Sequence, residues 1–420
     1  MSLITAPKGT ADILPSDSYK WQYLEKKIRD ISARYGFNEI RTPVFEHTEV
    51  FERGVGDTTD VVSKEMYTFQ DKGGRSVTLR PEGTAGVVRS FIENGLFNEP
   101  MPAKLYYLIN CFRYEKPQKG RLRQFSQYGI EMFGATSPAA DAMVISLPYN
   151  IFRELGIKDI ELKINSIGCR KCRADYRNAL ISYYEDKKDM LCPTCNERLY
   201  KNPMRILDCK SDICKSISVN APKILDYLCS DCADHFNQLK ELLDGMGIGY
   251  TVDPYIVRGL DYYNRTVFEF ISSGIGAQGT VCGGGRYDGM TEQLGGASYP
   301  GIGFAMGLER IMLLLDCENI KKPVPDLYIA SMGHRAQIES ALIAQRLIRS
   351  GAAVEYDIMD RSLKAQMKYA DKTGALCSMV LGDNELDTGI VTVKNMRTKE
   401  QRQVKIKDID FQFITEMTKE

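Results

Sequence analysis

The stretch Cys111–Gly134, CFRYEKPQKGRLRQFSQYGIEMFG, constrains the fold more than any other part of this 420-residue chain. Residues 105–113 and 124–133 are rich in Tyr, Phe and Ile, and Pro117 and Gly120 interrupt the segment between them. The pattern predicts strand, loop, strand. Side chains two apart on a strand share a face. In the second strand Tyr128, Ile130 and Met132 therefore make an apolar face, while Gln127, Gly129 and Glu131 make a polar one with room above the glycine. A hairpin with one solvated face satisfies this pattern. The loop also carries Lys116, Lys119 and Arg121, with Arg113 and Arg123 at its feet. A planar guanidinium beside the polar face suits a phosphate or carboxylate. Both readings stand at this point.

The pattern around the hairpin extends it into a larger body. A helix is expected from Ser16 or Asp17, with Trp21, Leu24, Ile28 and Ile31 at helical spacing, ending before Gly36. FNEIRTPVFEH is a short strand broken by Pro43, which suggests a sheet edge or an interface. Strands follow at Glu65–Gln70 and Ser76–Leu79 around a Lys72-Gly73-Gly74 turn, then Arg80–Thr84 leads into a helix from Val87 to Ile92. Strands that pair locally, with helices that do not alternate regularly, argue for an antiparallel α+β core. Strand pattern resumes at Tyr250, and Ala305 onward reads as a helix ending near Leu315. KKPVP at 321–325 is a linker signal, and beyond it strands and helices alternate as in a small α/β unit.

Composition narrows the function classes. Lys plus Arg and Asp plus Glu each number 55, so any nucleic-acid binding must use local patches such as the 116–123 loop. Three histidines (His47, His235, His334) argue against a His-based metal site or a His triad. Apolar runs fall short of the ~20 residues that a membrane span needs. The first fifteen residues hold Lys8 and Asp12 and lack the apolar run of a signal peptide, so a cytoplasmic location without membrane attachment is expected.

Residues 168–250 differ in character, being helical, charged and cysteine-rich, and read as an insertion into the core. Eight of the twelve cysteines fall there, as Cys169/Cys172, Cys192/Cys195, Cys209/Cys214 and Cys229/Cys232. Four such pairs match two tetrahedral Cys₄ zinc sites. The competing reading is small apolar residues buried in a helical subdomain. Disulfides are disfavoured in the expected compartment.

Taken together, the helix leading to Pro43, the hairpin with Arg113, and GIGFAMGLERI with Arg310 resemble the three signatures of class II aminoacyl-tRNA synthetases. RGLDYYNRTVFE at 258–269 and GGGRYDG at 283–289 are similar to the two signature segments of the histidyl-tRNA synthetases, and APKGTADILP, KEMYTF and LRPEGTA match as well. The resemblance covers essentially the whole chain. It implies a class II antiparallel sheet flanked by helices in residues 1–324, with the helical insertion, and an α/β anticodon-binding domain in 325–420.

The implied reaction joins L-histidine to ATP as histidyl-adenylate and passes the histidyl group to the 3′ end of tRNA(His). The resemblance assigns Arg113 to the α-phosphate and carboxylate, Arg258 to the place of a metal ion in other class II enzymes, and Arg310 to the γ-phosphate. Gly301, Gly303 and Gly307 would let backbone approach adenosine. Glu82, Thr84 and Gln127 match the ammonium-side ligands, and Glu131, Tyr262, Tyr263 and Tyr287 the residues around imidazole. Tyr262 and Tyr263, as neighbours on a strand, are expected to face opposite ways. Gln118 and Arg121 are expected at the tRNA acceptor end, with Mg²⁺ carried by ATP and a homodimer closed near Pro43. The family is not zinc-dependent, which weighs against metal in the insertion. Ser126 departs from the histidine of many bacterial relatives, and strand alternation points it away from Gln127 and Glu131. A catalytically inactive relative, the regulatory subunit of ATP phosphoribosyltransferase, is the alternative; such subunits typically lose the signature arginines and the C-terminal domain.

Overall fold

A computed structural model describes residues 3–56, 59–275 and 279–419. The chain divides into two compact units, Met1–Ile320 and Lys321–Glu420. The first is built on an eight-stranded sheet whose order across is Asn38–Glu39, Ala103–Phe112, Gln124–Phe133, Gly301–Gly307, Thr280–Arg286, Asn264–Ser272, Ile160–Ser166 and Thr251–Val252. The six inner strands are antiparallel, and only the two-residue strands at the edges pair in parallel. A three-stranded sheet, Phe45–His47, Ser76–Leu79 and Tyr67–Gln70, stands beside it. The Lys72–Gly74 turn closes on Asp71, whose Oδ1 accepts from the N–H groups of Gly73 and Arg75 at 2.8 and 2.9 Å.

Strand alternation in the hairpin places Tyr128, Ile130 and Met132 in one apolar layer, against Leu24 and Ile28 of helix Ser18–Arg34 and Leu147 of helix Pro138–Glu154. The opposite face is not solvated. Tyr107, Tyr262, Tyr263 and Tyr287 form a second layer over it with helix Thr84–Glu93, so Gln127 and Glu131 are only 6% and 1% exposed. A half-solvated hairpin is therefore the wrong reading: the strand lies mid-sheet, covered on both sides.

Gly301–Gly307 is a strand, and the helix starts only at Leu308. Ile302, Phe304 and Met306 alternate into the first layer, while Gly301 and Gly303 pair with Phe133 and Glu131 on the crowded face. Period-two alternation between two partner strands overrides the helical character of Ala305 and Met306.

Between Ser166 and Thr251 the chain makes the helices Arg170–Glu185, Pro193–Lys201, Asp212–Ser218 and Ser230–Gly245. Tyr176, Leu180 and Tyr184 fall on one stripe in a core of their own, whereas Phe236, Leu239 and Leu243 of the last helix belong to the main core.

One buried ionic group ties these pieces together. Arg286, fully buried, donates through Nε to Asp141 Oδ1 at 2.8 Å and through its two terminal nitrogens to the Ala135 and Ser137 carbonyls at 2.9 and 3.1 Å. The other Asp141 oxygen meets His235 Nε2 at 2.8 Å. Arg286 of the GGGRYDG segment is thus an anchor joining strand 280–286, helix 138–154 and helix 230–245. Removing one member strands a buried charge. Asp141→Ala is expected to lower unfolding free energy by about 3–5 kcal/mol, read from urea midpoints, and a change of only a few tenths would contradict it.

The second unit has a five-stranded sheet ordered Val354–Tyr356, Leu327–Ser331, Cys377–Leu381, Ile390–Asn395 and Gln401–Lys405. The first three are parallel and the last two antiparallel. Helices His334–Arg349 and Leu363–Thr373 follow the expected alternation. Strand Gln401–Lys405, an exposed polar edge, and helix Phe411–Thr418, capped by Asp410 and burying Ile414 and Met417, complete the unit.

Candidate active site

The crowded face of the large sheet holds most of the residues singled out above. Glu82 sits just before helix Thr84–Glu93, and its carboxylate accepts from the Thr84 and Ala85 N–H groups at 2.8 Å each. These donors lie at a helix N-terminus, which favours an anion. Burial nevertheless dominates and pushes the Glu82 carboxyl above the usual range. Gln127 Oε1 accepts from Gly83 N at 2.9 Å, tying the hairpin to the same turn. Ser126 lies off this face, its hydroxyl 3.4 Å from Asn110 Oδ1.

Four residues beyond Gln127 on the same face, Glu131 takes one hydrogen bond from the Tyr107 hydroxyl at 3.2 Å and another from Tyr287. Burial pushes its carboxyl up to about 8, against the opposing effect of these hydroxyls. The room above Gly129 belongs to Tyr107, its cross-strand partner: a Cβ there would run into the tyrosine hydroxyl. A tyrosine opposite a glycine in adjacent strands is the signal that could have found Tyr107. The space above Gly303 is likewise filled by the Glu131 carboxylate, while Gly307 has open space.

Tyr262 and Tyr263 do not face opposite ways. The strand begins only at Asn264, and the turn before it brings both rings into one cluster, with centroids 4.5 Å apart and Tyr262 5.7 Å from Tyr287. Strand alternation does not reach these two tyrosines because Gly259 and Asp261 lead through a turn.

Four arginines approach this face. Arg258 is ion-paired with Glu269, whose other oxygen accepts from Thr280 Oγ1 at 3.0 Å. Burial alone would lower its pKa, but the Glu269 carboxylate outweighs it and the guanidinium is held more firmly charged. Arg258 Nε is buried and without a hydrogen-bond partner among the described residues. A Cβ on Gly283 would fall on this guanidinium, so that glycine makes its berth.

Arg113 donates to the Pro81 carbonyl at 2.8 Å and packs over Phe125, with 5.4 Å to the ring centroid. Arg310 reaches the Thr280 and Gly120 carbonyls, and burial together with Arg121 and Arg113 lowers its pKa. Arg121 turns back onto Glu115 at 3.0 Å, with Arg113 3.9 Å from the same carboxylate, while the Gln118 and Arg121 backbones bond each other across the loop tip. Arg113 and Arg121 flank Glu115, with Arg310 within electrostatic reach of all three, which leaves this corner net positive. Glu115, Glu269 and Thr280 were not singled out from the sequence, because their roles are set by how the hairpin loop and the strands fold back on one another.

The Histidyl-tRNA synthetase family model matches residues 9–173 and 216–311, and the Anticodon binding domain model matches 326–413. The stretch between the first two ranges carries Cys192, Cys195, Cys209 and Cys214. A histidine–tRNA ligase of Acetivibrio thermocellus is 56% identical over 407 residues, covering 96% of this chain and 98% of its own. One of Clostridium botulinum strain 657 is 55% identical over 410 residues, covering 97% and 98%. The crystal structure of apo Staphylococcus aureus histidyl-tRNA synthetase superposes with a TM-score of 0.84 at 39% identity, over 99% of this chain and all of that one. With an antiparallel sheet, polar pocket and arginine cluster built from the same segments, the chain belongs to the histidyl-tRNA synthetase family.

Proposed function

We propose that this protein is a histidine–tRNA ligase that works in two steps on the covered face of its sheet. A carboxylate oxygen of L-histidine bonds to the α-phosphorus of ATP, and the bond to the β-side bridging oxygen breaks, releasing pyrophosphate. A ribose hydroxyl at the 3′ end of tRNA(His) then attacks the activated carbonyl, and AMP leaves with the bonding pair. Both reactants bring their own nucleophile, so the protein's task is positioning and charge neutralisation. ATP arrives with Mg²⁺, which supplies further neutralisation of its phosphates.

The observation that carries this reading is the pairing of a buried cluster of tyrosines and carboxyls with a guanidinium donor, Arg258 Nε, that has no partner among the described residues. Glu82, Thr84 and Gln127 face the α-ammonium, and Glu131, Tyr262, Tyr263 and Tyr287 the imidazole. Arg113 and Arg258 meet the α-phosphate, Arg310 the γ-phosphate, and the Gly307 backbone lies under adenosine, whereas the space above Gly303 is taken by the Glu131 carboxylate. Gln118 and Arg121 at the hairpin tip meet the tRNA acceptor end, and residues 326–413 the anticodon. A pocket of hydrogen-bonding groups rejects an apolar analogue because it would leave them unpaired. Retention of Arg113, Arg258, Arg310 and the second unit disfavours a regulatory subunit. Among the described residues no helix is long and apolar enough to cross a membrane, in keeping with a cytoplasmic enzyme. Exposed Val44 and Phe45 beside Pro43 supply apolar surface for a twofold dimer.

The test is histidine-dependent exchange of labelled pyrophosphate into ATP, then charging of tRNA(His), on material whose sedimentation mass is that of two 47.4 kDa chains. Exchange and charging with histidine alone among the amino acids are expected. ATP binding without either activity would overturn the reading in favour of the regulatory subunit, and a monomer would overturn the dimer.

A further inference from the structure

We infer that the helical insertion is built on two tetrahedral Cys₄ zinc sites, one from Cys169, Cys172, Cys229 and Cys232, the other from Cys192, Cys195, Cys209 and Cys214. Within each group all four Sγ atoms lie within 4.8 Å of one another. Zinc–thiolate bonds of about 2.3 Å in a tetrahedron set the sulfurs about 3.8 Å apart. Cys169 and Cys172 are separated by 3.6 Å and Cys192 and Cys209 by 3.8 Å. Disulfides bring sulfurs together in twos at about 2.0 Å and give no reason for four to converge. Burial of small apolar residues gives none either: Cys111, Cys282 and Cys377 are buried and belong to no such group among the described residues.

Spacing along the chain leaves the partition of the four pairs open. The fold nests them, first with fourth and second with third. Cys169, Cys192 and Cys229 each stand immediately before a helix, at Arg170–Glu185, Pro193–Lys201 and Ser230–Gly245, with the second cysteine of the pair in the first turn. Residues three apart across a helix start share a side, and the helix N-terminus favours a thiolate. Backbone N–H groups point at the sulfurs as well: Cys229 N to Cys172 Sγ at 3.1 Å, Cys192 N to Cys214 Sγ at 3.3 Å, and Ser211 N to Cys209 Sγ at 3.5 Å. Such donors stabilise the charge that four thiolates bring to one metal.

The sites have no part in the chemistry; they position the segment that does. The first fastens the two ends of the insertion beside the active-site turn. Arg173, next to Cys172, donates to the Tyr263 carbonyl at 3.1 Å, and Gly168 O accepts from Arg265 N at 2.9 Å. The second lies in the lobe whose Arg205 donates to the Arg258 carbonyl at 3.0 Å and whose Asn202 meets Asp261 at 3.0 Å. The metal sites stand independently of the proposed function; only this positioning role rests on it.

The test uses the full chain purified without chelator and assayed for metal by mass spectrometry. About two zinc ions per chain are expected, one for each cysteine group. Cys229→Ser and Cys192→Ser should each lose one, and Cys111→Ser none. Should the group variants fail to fold, stepwise mercurial titration of the unmodified protein reads the same quantity, with each zinc released as about four thiols react. Co²⁺ loaded in place of zinc should show the charge-transfer bands of tetrahedral thiolate ligation. Less than about half a zinc per chain, or thiols in both groups that react freely in the folded protein, would overturn the sites. Zinc removal that leaves the KM for histidine in pyrophosphate exchange unchanged would overturn the positioning role.

Discussion

Replacing Arg258 with alanine is expected to slow histidine-dependent pyrophosphate exchange by about 10²–10³-fold while weakening histidine binding far less. Arg258 offers a buried Nε with no partner among the described residues, on a guanidinium already oriented by Glu269. Such a donor costs little reorganisation when charge develops at phosphorus, and that is where it acts. Truncation removes the cation and also leaves the Glu269 carboxylate facing the site with Thr280 alone. The second effect repels ATP, so the two must be separated. Arg258→Ala with Glu269→Gln should recover ATP affinity without recovering turnover. Arg258→Lys should fall between, since an ammonium keeps the charge and loses the fork. Lost histidine binding with an unchanged turnover number would contradict the assignment.

How far this site could be read in advance depended on the range of each signal. Alternation along 124–133 placed Tyr128, Ile130 and Met132 correctly, because a strand face is a local property. It could not say that the polar face is covered, because the covering comes from Tyr262 and Tyr287, over a hundred residues away. The same limit explains Gly129, whose room is taken by a tyrosine from the neighbouring strand. Local pattern misled twice. Ala305 and Met306 read as helix until two flanking strands are known, and Tyr262-Tyr263 read as strand although the strand begins one residue later. Arg286 lies inside a recognisable motif, yet its partner Asp141, and His235 beyond it, belong to distant helices, and only the fold shows it to be an anchor.

The Glu131 carboxyl ties stability and function in opposite directions, which Glu131→Gln should expose. Burial raises it from an ordinary 4.5 to about 8 in the folded chain. A raised carboxyl stabilises the fold only where the unfolded chain is also protonated. As pH climbs past 4.5 the unfolded state ionises while the folded state holds its proton, so stability falls until pH passes about 8. Glutamine removes that loss. The variant should therefore outlast the parent by a margin that grows from pH 5 to pH 8 and reaches on the order of 4 kcal/mol in chemical denaturation. Glu82 is raised by burial too, so some slope should remain. Binding should move the other way. The neutral imidazole that Glu131 meets donates its ring N–H best to an ionised carboxylate, so in the parent affinity should rise with pH between about 7 and 8 by at most tenfold per unit for each proton released. Glu131→Gln should weaken histidine binding by about two orders of magnitude, as expected when a buried hydrogen-bonding partner of the substrate is lost, and should flatten this slope. Calorimetry in buffers of different ionisation enthalpy reads the released proton directly. Denaturation midpoints that run parallel for parent and variant across this range would show that Glu131 is ionised without substrate and would overturn the coupling.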